Sequence, residues 1–411
     1  MKLSRTLAAL LAAEVVSSTG TAMTFVALPW FVLVTSGSAT RMSVVLAAEV
    51  VPMALFGIPS GSLVGRLGAR TTMLVSDAIR MPLIVLVPVL HWTGHLSFGG
   101  LIAIVFLLGC FTAPYISAQR TIIPELFGDD EKTVAKASGL FGGATQLPIV
   151  IGPAIAGVLI AFFGAPALLV VDGATFLFAF VVVLAFVRAG RRLPVDEEHR
   201  GVLAGVRYLA KDRLLGPMSL TLVLLDGASG AIAVAVPLLA FTRYDRDPHI
   251  AGWIFTSFGV GAIFGSLLAV KLLDRLSPLR LASIGVVCAT LPLWIVALDV
   301  SWPIACAAVV ACGVFVPSVN APFMGLLTTR PPAALRAKVM TAVLTVSGLG
   351  SPLGRLAVGP VYRAAGNGGV WVLIAGGLSV GSVLFIAAAV RGSGGDAPNV
   401  AGIAAVAHRE P

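Results

Sequence analysis

The sequence predicts an all-α membrane protein with twelve transmembrane helices in two pseudo-symmetric six-helix bundles. Three observations lead there. Apolar stretches of about 20 residues, the helix length that crosses a bilayer's hydrocarbon core, recur through nearly all 411 residues. Hydrophobic residues make up 58% of the chain and charged residues 11%, with a mean hydropathy of +0.99, which excludes an ordinary soluble domain. The charges that remain sort strongly to alternate loops.

The first span, near residues 7–34, follows Lys2 and Arg5 and resembles the start of a signal peptide. Glu14 interrupts it, however, and apolar sequence continues to Val34 with no convincing cleavage site, so an uncleaved helix is expected. Further spans are expected near 43–64, 69–90, 99–121, 136–162 and 166–188. After a long polar stretch come 214–241, 250–273, 279–299, 303–326, 337–362 and 369–391. Charges, Gly or Pro mark every break. The runs are continuous and too long for the short alternating strands of a transmembrane barrel.

A net charge of +9 raises the question of nucleic acid. Its placement answers otherwise. With the N-terminus inside, only Arg41, Arg243, Arg246 and Arg363 fall outside, and Arg80 and Arg355 fall within spans. The other 22 of 28 basic residues lie on the cytoplasmic side, the positive-inside bias, and twelve crossings keep both termini there. Trp30, Trp92, Trp253, Trp294, Trp302 and Trp371 all fall near the outer boundary, where indole rings are favoured. Cys110, Cys288, Cys306 and Cys312 sit within apolar spans without CxxC spacing and read as free, hydrophobic thiols.

The longest hydrophilic stretch, RAGRRLPVDEEHRGVLAGVRYLAKDR at 188–213, divides the chain into six spans and six. The expected domains are a bundle at 1–188, a cytoplasmic linker at 189–213, a bundle at 214–391 and a disordered tail at 392–411. The second part of the linker fits an amphipathic helix on the inner membrane surface, with Val202, Leu203, Val206 and Leu209 on one face. The halves echo each other at offsets of 207 to 209. Gly65-Arg66 parallels Asp274-Arg275, Thr121 parallels Thr329, and Gly152-Pro153 parallels Gly359-Pro360. Two repeated halves with a substrate site between them are a transporter architecture.

GSLVGRLGAR at 61–70 resembles the cytoplasmic signature of the major facilitator superfamily, G-x-L-x-D-R-x-G-R-R. Gly61, Leu63, Arg66, Gly68 and Arg70 match it, Gly65 stands where the acid is usual, and the weaker second copy retains Asp274 and Arg275. In that family the acid helps latch the cytoplasmic side, so the resemblance implies a latch that is lost here or moved to the second half. GLFGGATQLPIVIGPAIAG is similar to the glycine-rich fifth helix of the family's exporters, with Gly152 and Pro153 as bending and gating positions. Ordinary close helix packing explains the same glycines. ALPWFVL, Asp77-x-x-Arg80, VVDGATFLFAF and GVRYLAKDRLL are similar to an exporter branch containing macrolide efflux pumps and the enterobactin exporter.

Ionisable residues inside spans are costly, so each is a functional candidate. Glu14, Glu49 and Asp226 are the proton-coupling candidates, because apolar surroundings favour the protonated form of a carboxyl group. A structural hydrogen-bonding role is the alternative for each. Asp77 and Arg80, three residues apart, read as local neutralisation, and Asp172 as a structural, solvated residue near the outer end of span six. His91, His95, His199, His249 and His408 fall outside the spans, which argues against a histidine relay. Cavity-lining candidates are Ser17, Ser18, Thr21, Phe25, Tyr115, Gln146, Asp226 and Asn320, with Phe255 and Phe323 as further aromatic surface. Depth counting puts Glu49 and Arg355 at a similar level in the outer halves of spans two and eleven, about 1.5 Å per residue along each helix. In the resembled fold those helices face each other, so an ion pair gating the outer side is expected.

The expected function is export of a small amphipathic drug, antibiotic or secondary metabolite by proton antiport and alternating access. The expected setting is a bacterial inner membrane, with a monomer embedded in lipid, no nucleic acid, no cofactor and no metal. No G-x-x-x-x-G-K-[ST] loop offers a phosphate cradle for ATP. Uptake or facilitated diffusion, or export of a siderophore or lysophospholipid, remains open on the same fold. An intramembrane enzyme lacks a convergent catalytic set, and a channel fits repeated halves less well than a carrier does.

Overall fold

A computed structural model describes residues 5–127, 131–188, 202–212, 214–298, 300–332 and 335–392. The expected tail and most of the linker therefore lie outside the described residues. Thirteen α-helices account for the described chain, and no strand occurs among the described residues. They are α1 Arg5–Ser36, α2 Ala39–Leu67, α3 Ala69–Trp92, α4 Phe98–Phe127, α5 Glu131–Phe163, α6 Ala165–Phe186 and α7 Val202–Lys211. The second half contributes α8 Leu215–Arg243, α9 Pro248–Leu273, α10 Pro278–Ala297, α11 Trp302–Thr329, α12 Arg336–Gly348 and α13 Gly350–Gly392. Among the described residues, eleven segments are long and apolar enough to cross a membrane. The last of them, Lys338–Arg391, holds 54 residues, more than twice the roughly 20 that one crossing requires. Gly366 breaks it with φ 63° and ψ −162°, a backbone state that a side chain opposes.

The helices form because a bilayer leaves intrahelical hydrogen bonding as the only way to satisfy each main-chain polar group. The same constraint lets prolines persist inside α1, α2, α3, α4, α5, α8, α10, α11 and α13. The break in GRLGAR falls at Gly68, whose φ of 84° separates α2 from α3.

The chain divides into two compact units, Met1–Val195 with Val236–Thr256, and Asp196–Ala235 with Ser257–Pro411. In the first, α1 packs on α5 and α6, α3 on α4 and α6, and α2 on α4. Val236–Thr256, the end of α8 and the start of α9, belongs to this unit. Trp30 of α1 meets Phe241 at 5.7 Å between ring centroids. A Cβ at Gly252 would strike the Pro153 carbonyl, and one at Gly157 the Pro248 carbonyl, so both glycines serve close packing. In the second unit, α10 packs on α11 and α13, and α7 on α12. Gly227 and Gly230 of α8 meet the main chain at Gly350, Ser351 and Gly354, where an added Cβ would collide.

Trp30 and Trp371 are buried inside the protein, while Trp92, Trp253, Trp294 and Trp302 are exposed. Indole's large apolar area makes it as suitable for a core as for an interface. The linker helix α7 buries a face that includes Leu209 of the expected residues but not Val206. Gly205 lies directly against the Lys338 carbonyl of α12, and Tyr208 and Leu209 join Leu335, Val339, Ala342 and Val343 in a core cluster. Val206 is exposed, and the side chains of Val202 and Leu203 lie outside the described residues. A glycine that admits a neighbouring backbone decided the docking face.

Candidate functional site

Polar side chains inside the first unit converge on Arg80 of α3. Its guanidinium pairs with Asp77 one turn earlier, and the two residues are 3% and 1% exposed. Arg80 Cζ lies 4.0 Å from the Tyr115 ring centroid and 4.3 Å from that of Phe176, so rings from α4 and α6 hold the cation on two sides. Such a dry cation–π arrangement replaces part of the lost hydration. Asp77 Oδ2 and Arg80 Nε are buried and face no hydrogen-bond partner among the described residues.

Glu14 of α1, 1% exposed, reaches the same group of residues. Tyr115 donates its hydroxyl to Oε1 at 2.9 Å, and Gln119 donates its amide to Oε2 at 2.6 Å. Tyr115 therefore bridges the acid and the cation, offering its O–H to Glu14 and its ring face to Arg80. Further along α1, Thr24 donates to Asp172 Oδ2 of α6 at 2.7 Å. Asp172 is 2% exposed, which corrects the expectation of a solvated residue. It is the eighth residue of α6, about 10 Å along a helix that rises 1.5 Å per residue.

The signature loop uses its charges locally. Glu125 at the end of α4 accepts the Ala69 N–H at 3.0 and 3.1 Å, capping α3 immediately after Gly68. Arg70 donates to the Leu184 and Val187 carbonyls at the end of α6. Gly61, Arg66, Asp274 and Arg275 are exposed. Gly152 of α5 is buried against Ala22 of α1, which serves close packing as well as any hinge.

The remaining candidates divide between the units. Glu49 is half-buried on α2, at a crossing where Gly109 of α4 meets its carbonyl. Asp226 is half-buried on α8, while Arg355 is buried on α13. Glu49 belongs to the first unit, and Asp226 and Arg355 to the second. Of the cavity candidates, Ser17 and Tyr115 are buried, Ser18 is half-buried, and Thr21, Gln146 and Asn320 are exposed. Phe25 is exposed and meets Phe255 edge-on at 5.0 Å, whereas Phe323 belongs to the buried core of the second unit. His91 forms part of the last turn of α3 and His249 of the first turn of α9, so both lie just inside helices. The four cysteines are free thiols, and the described residues hold no group of His, Cys, Asp or Glu suited to a metal.

Sequence reasoning missed Gln119, Thr24, Phe176 and Glu125. Nothing in their spacing distinguishes a polar partner from an ordinary membrane-helix residue. Asp172 did carry a signal, a charge within an apolar run, which the depth estimate discounted.

In the second unit, Asp212 forms a separate hub on the linker. Oδ1 accepts the Leu214 and Leu215 N–H groups at 2.8 Å each, capping α8, and Oδ2 accepts Arg330 Nε at 3.0 Å and Tyr208 Oη at 3.3 Å. Burial, followed by the Asp212 charge, raises the Tyr208 phenol above its ordinary pKa.

An all-helical membrane protein with a repeated signature loop and charges buried among its helices has the features of a secondary transporter. The chain belongs to the Major Facilitator Superfamily, whose profile matches residues 10–354 and 218–408. It is similar to the multidrug efflux pump Tap of Mycolicibacterium fortuitum, at 25% identity over 375 residues, covering 87% of this chain and 89% of that protein. It also resembles the staphyloferrin A transporter of Staphylococcus aureus, at 23% identity over 251 residues, 60% of this chain and 62% of that protein. The crystal structure of the nucleoside transporter NupG superposes with a TM-score of 0.77 at 13% identity, covering 94% of this chain and 99% of that one. This last likeness concerns the fold alone.

Proposed function

We propose that the protein exports a small amphipathic compound (a drug, antibiotic or secondary metabolite) by proton antiport and alternating access. One observation carries the coupling: Glu14 is buried in the first unit between two donors, Tyr115 and Gln119. A carboxyl group held in a dry bundle changes the local charge balance whenever it gains or loses a proton. Tyr115 also touches Arg80, so the change is felt by the cation that Asp77 holds. Similarity to multidrug efflux pump Tap supports the exporter direction and the substrate class. Asp226, half-buried on α8, is the corresponding proton candidate in the second unit.

The proposal keeps both termini in the cytoplasm, a monomer in a bacterial inner membrane, and no chemical transformation of the substrate. Glu49 and Arg355 are proposed as an outer gate on the depth argument. A double-mutant cycle with Glu49→Gln and Arg355→Gln, read by transport and by labelling of an outer cysteine, should be non-additive. Additive effects with unchanged labelling would remove the gate. Gly61, Arg66, Gly68 and Arg70 with Asp274 and Arg275 are proposed for the inner latch. A second reading, siderophore export, draws on the similarity to the staphyloferrin A transporter.

Cells expressing the protein, loaded with ethidium as the probe, test the main reading. Export should be energised, abolished by a protonophore, and lose its pH dependence in Glu14→Gln. Protonophore-insensitive export would refute antiport.

A further inference from the structure

The first unit contains a second buried acid whose surroundings are built for a carboxyl group. Gly20 of α1 opens the slot: a Cβ there would collide with Asp172 Oδ1 and Thr175 Oγ1. Glycine is thus required where the Asp172 side chain docks on α1. Inside the slot, Thr24 donates to Oδ2 at 2.7 Å. Thr175 lies 3.3 Å from Oδ1, but its hydroxyl also reaches the Asp172 main-chain carbonyl at the shorter distance of 2.7 Å. A hydroxyl has one proton to donate. With that proton on the carbonyl, the Thr175 oxygen presents a lone pair to Oδ1. Two oxygens then face each other, and a hydrogen bond between them requires a proton on Asp172.

Charge balance points the same way. Asp172, Asp77 and Glu14 are each 1% or 2% exposed, and Arg80 is the cation buried with them. Three ionised carboxylates against one guanidinium would leave two uncompensated negative charges in a dry bundle, which is strongly unfavourable. The charged groups that bear on Asp172 are Arg80 from α3 and half-buried Glu49 from α2. Phe176, one turn after Asp172, carries one of the rings on Arg80. The acid and the cation therefore share α6 as a common support.

We propose that Asp172 is a second proton site of the first unit, held as the neutral acid by Thr24, Thr175 and Gly20, and exchanging its proton under the influence of Arg80. On release the carboxyl O–H bond breaks, the proton passes to water reaching the slot, and the resulting carboxylate is stabilised by the Arg80 charge. On reloading the sequence reverses. The exchange rests on the antiport reading above, whereas the presence of the proton does not.

Infrared spectroscopy of the purified protein in lipid nanodiscs tests it, through the carbonyl stretch of protonated carboxylic acids. Asp172→Asn should remove one such band at neutral pH, distinct from the band lost in Glu14→Gln. Thr175→Val, which deletes the acceptor and keeps the acid, should shift the Asp172 band to higher frequency. In the wild type the band should fade as pH rises through the range where ethidium export changes. Unchanged bands in both Asp172→Asn and Thr175→Val would overturn the proton site. A band that persists at every pH where the protein stays folded would overturn the exchange. Ethidium export that ignores a protonophore refutes antiport separately, and an Asp172 band that titrates would still establish the site.

Discussion

Replacing Arg80 by Gln should destabilise the first unit by about 4 kcal/mol, because one side chain meets two needs of its interior. Its ion pair with Asp77 is almost wholly buried. Removing one member of such a pair leaves the other charge uncompensated, at a cost of about 3–5 kcal/mol. The guanidinium also sits 4.0 and 4.3 Å from two ring centroids, an arrangement worth about 2 kcal/mol when desolvated. The two contributions overlap, since losing either relaxes the other. Thermal unfolding in detergent, followed by circular dichroism, measures the effect. The double variant Asp77→Asn with Arg80→Gln separates the contributions by removing the stranded charge. It should recover the ion-pair part and retain a loss of about 2 kcal/mol from the rings. An Arg80→Gln protein within about 0.5 kcal/mol of the wild type, or a double variant less stable than the single one, would refute this account of the cluster.

Asp212→Ala should cost about 3 kcal/mol, since it removes a helix cap and a charge-assisted bond to partly exposed Arg330 together. Unfolding measured by urea titration in micelles checks it, and no loss would mean the linker hub is incidental. Tyr208, with its phenol raised by burial and by Asp212, favours the protonated form in the folded state. That stability is fully present below the unfolded value and is lost as pH rises through the folded one. Tyr208→Phe should accordingly flatten the alkaline limb of a stability-against-pH curve. Gly354→Ala would place a methyl group on the Gly227 carbonyl and should cost about 1–3 kcal/mol by overpacking, with Gly61→Ala, which meets open space, as the neutral comparison in the same melt. For topology, single cysteines at Ser97 and Gly201 should be labelled by an impermeant thiol reagent from outside and not from outside, respectively. The reverse pattern would sink the proposed orientation.

The sequence by itself determined the helical class and the family, and it placed most helices, though not the break after Gly348 inside the expected span 337–362. Span length follows from bilayer thickness, and the break at Gly68 follows from a φ that glycine alone adopts readily. The bias of basic residues carried the proposed orientation, because loop charge responds to the membrane rather than to packing. Glu14 and Asp226 were legible as charges within apolar runs. Their partners were not. In helices such as α1 and α6 the few polar residues do not gather on one side, so periodicity does not indicate which stripe meets protein and which meets lipid. That choice fell to packing: Gly20 admitting Asp172 to α1, two rings closing on Arg80, and Gly205 turning α7 onto α12. Whether a polar residue is a partner or a bystander depended on contacts between helices more than fifty residues apart, as for Tyr115 with Glu14 and Thr24 with Asp172. Local spacing holds no record of such distant pairs, and only the folded bundle brings them within hydrogen-bonding reach.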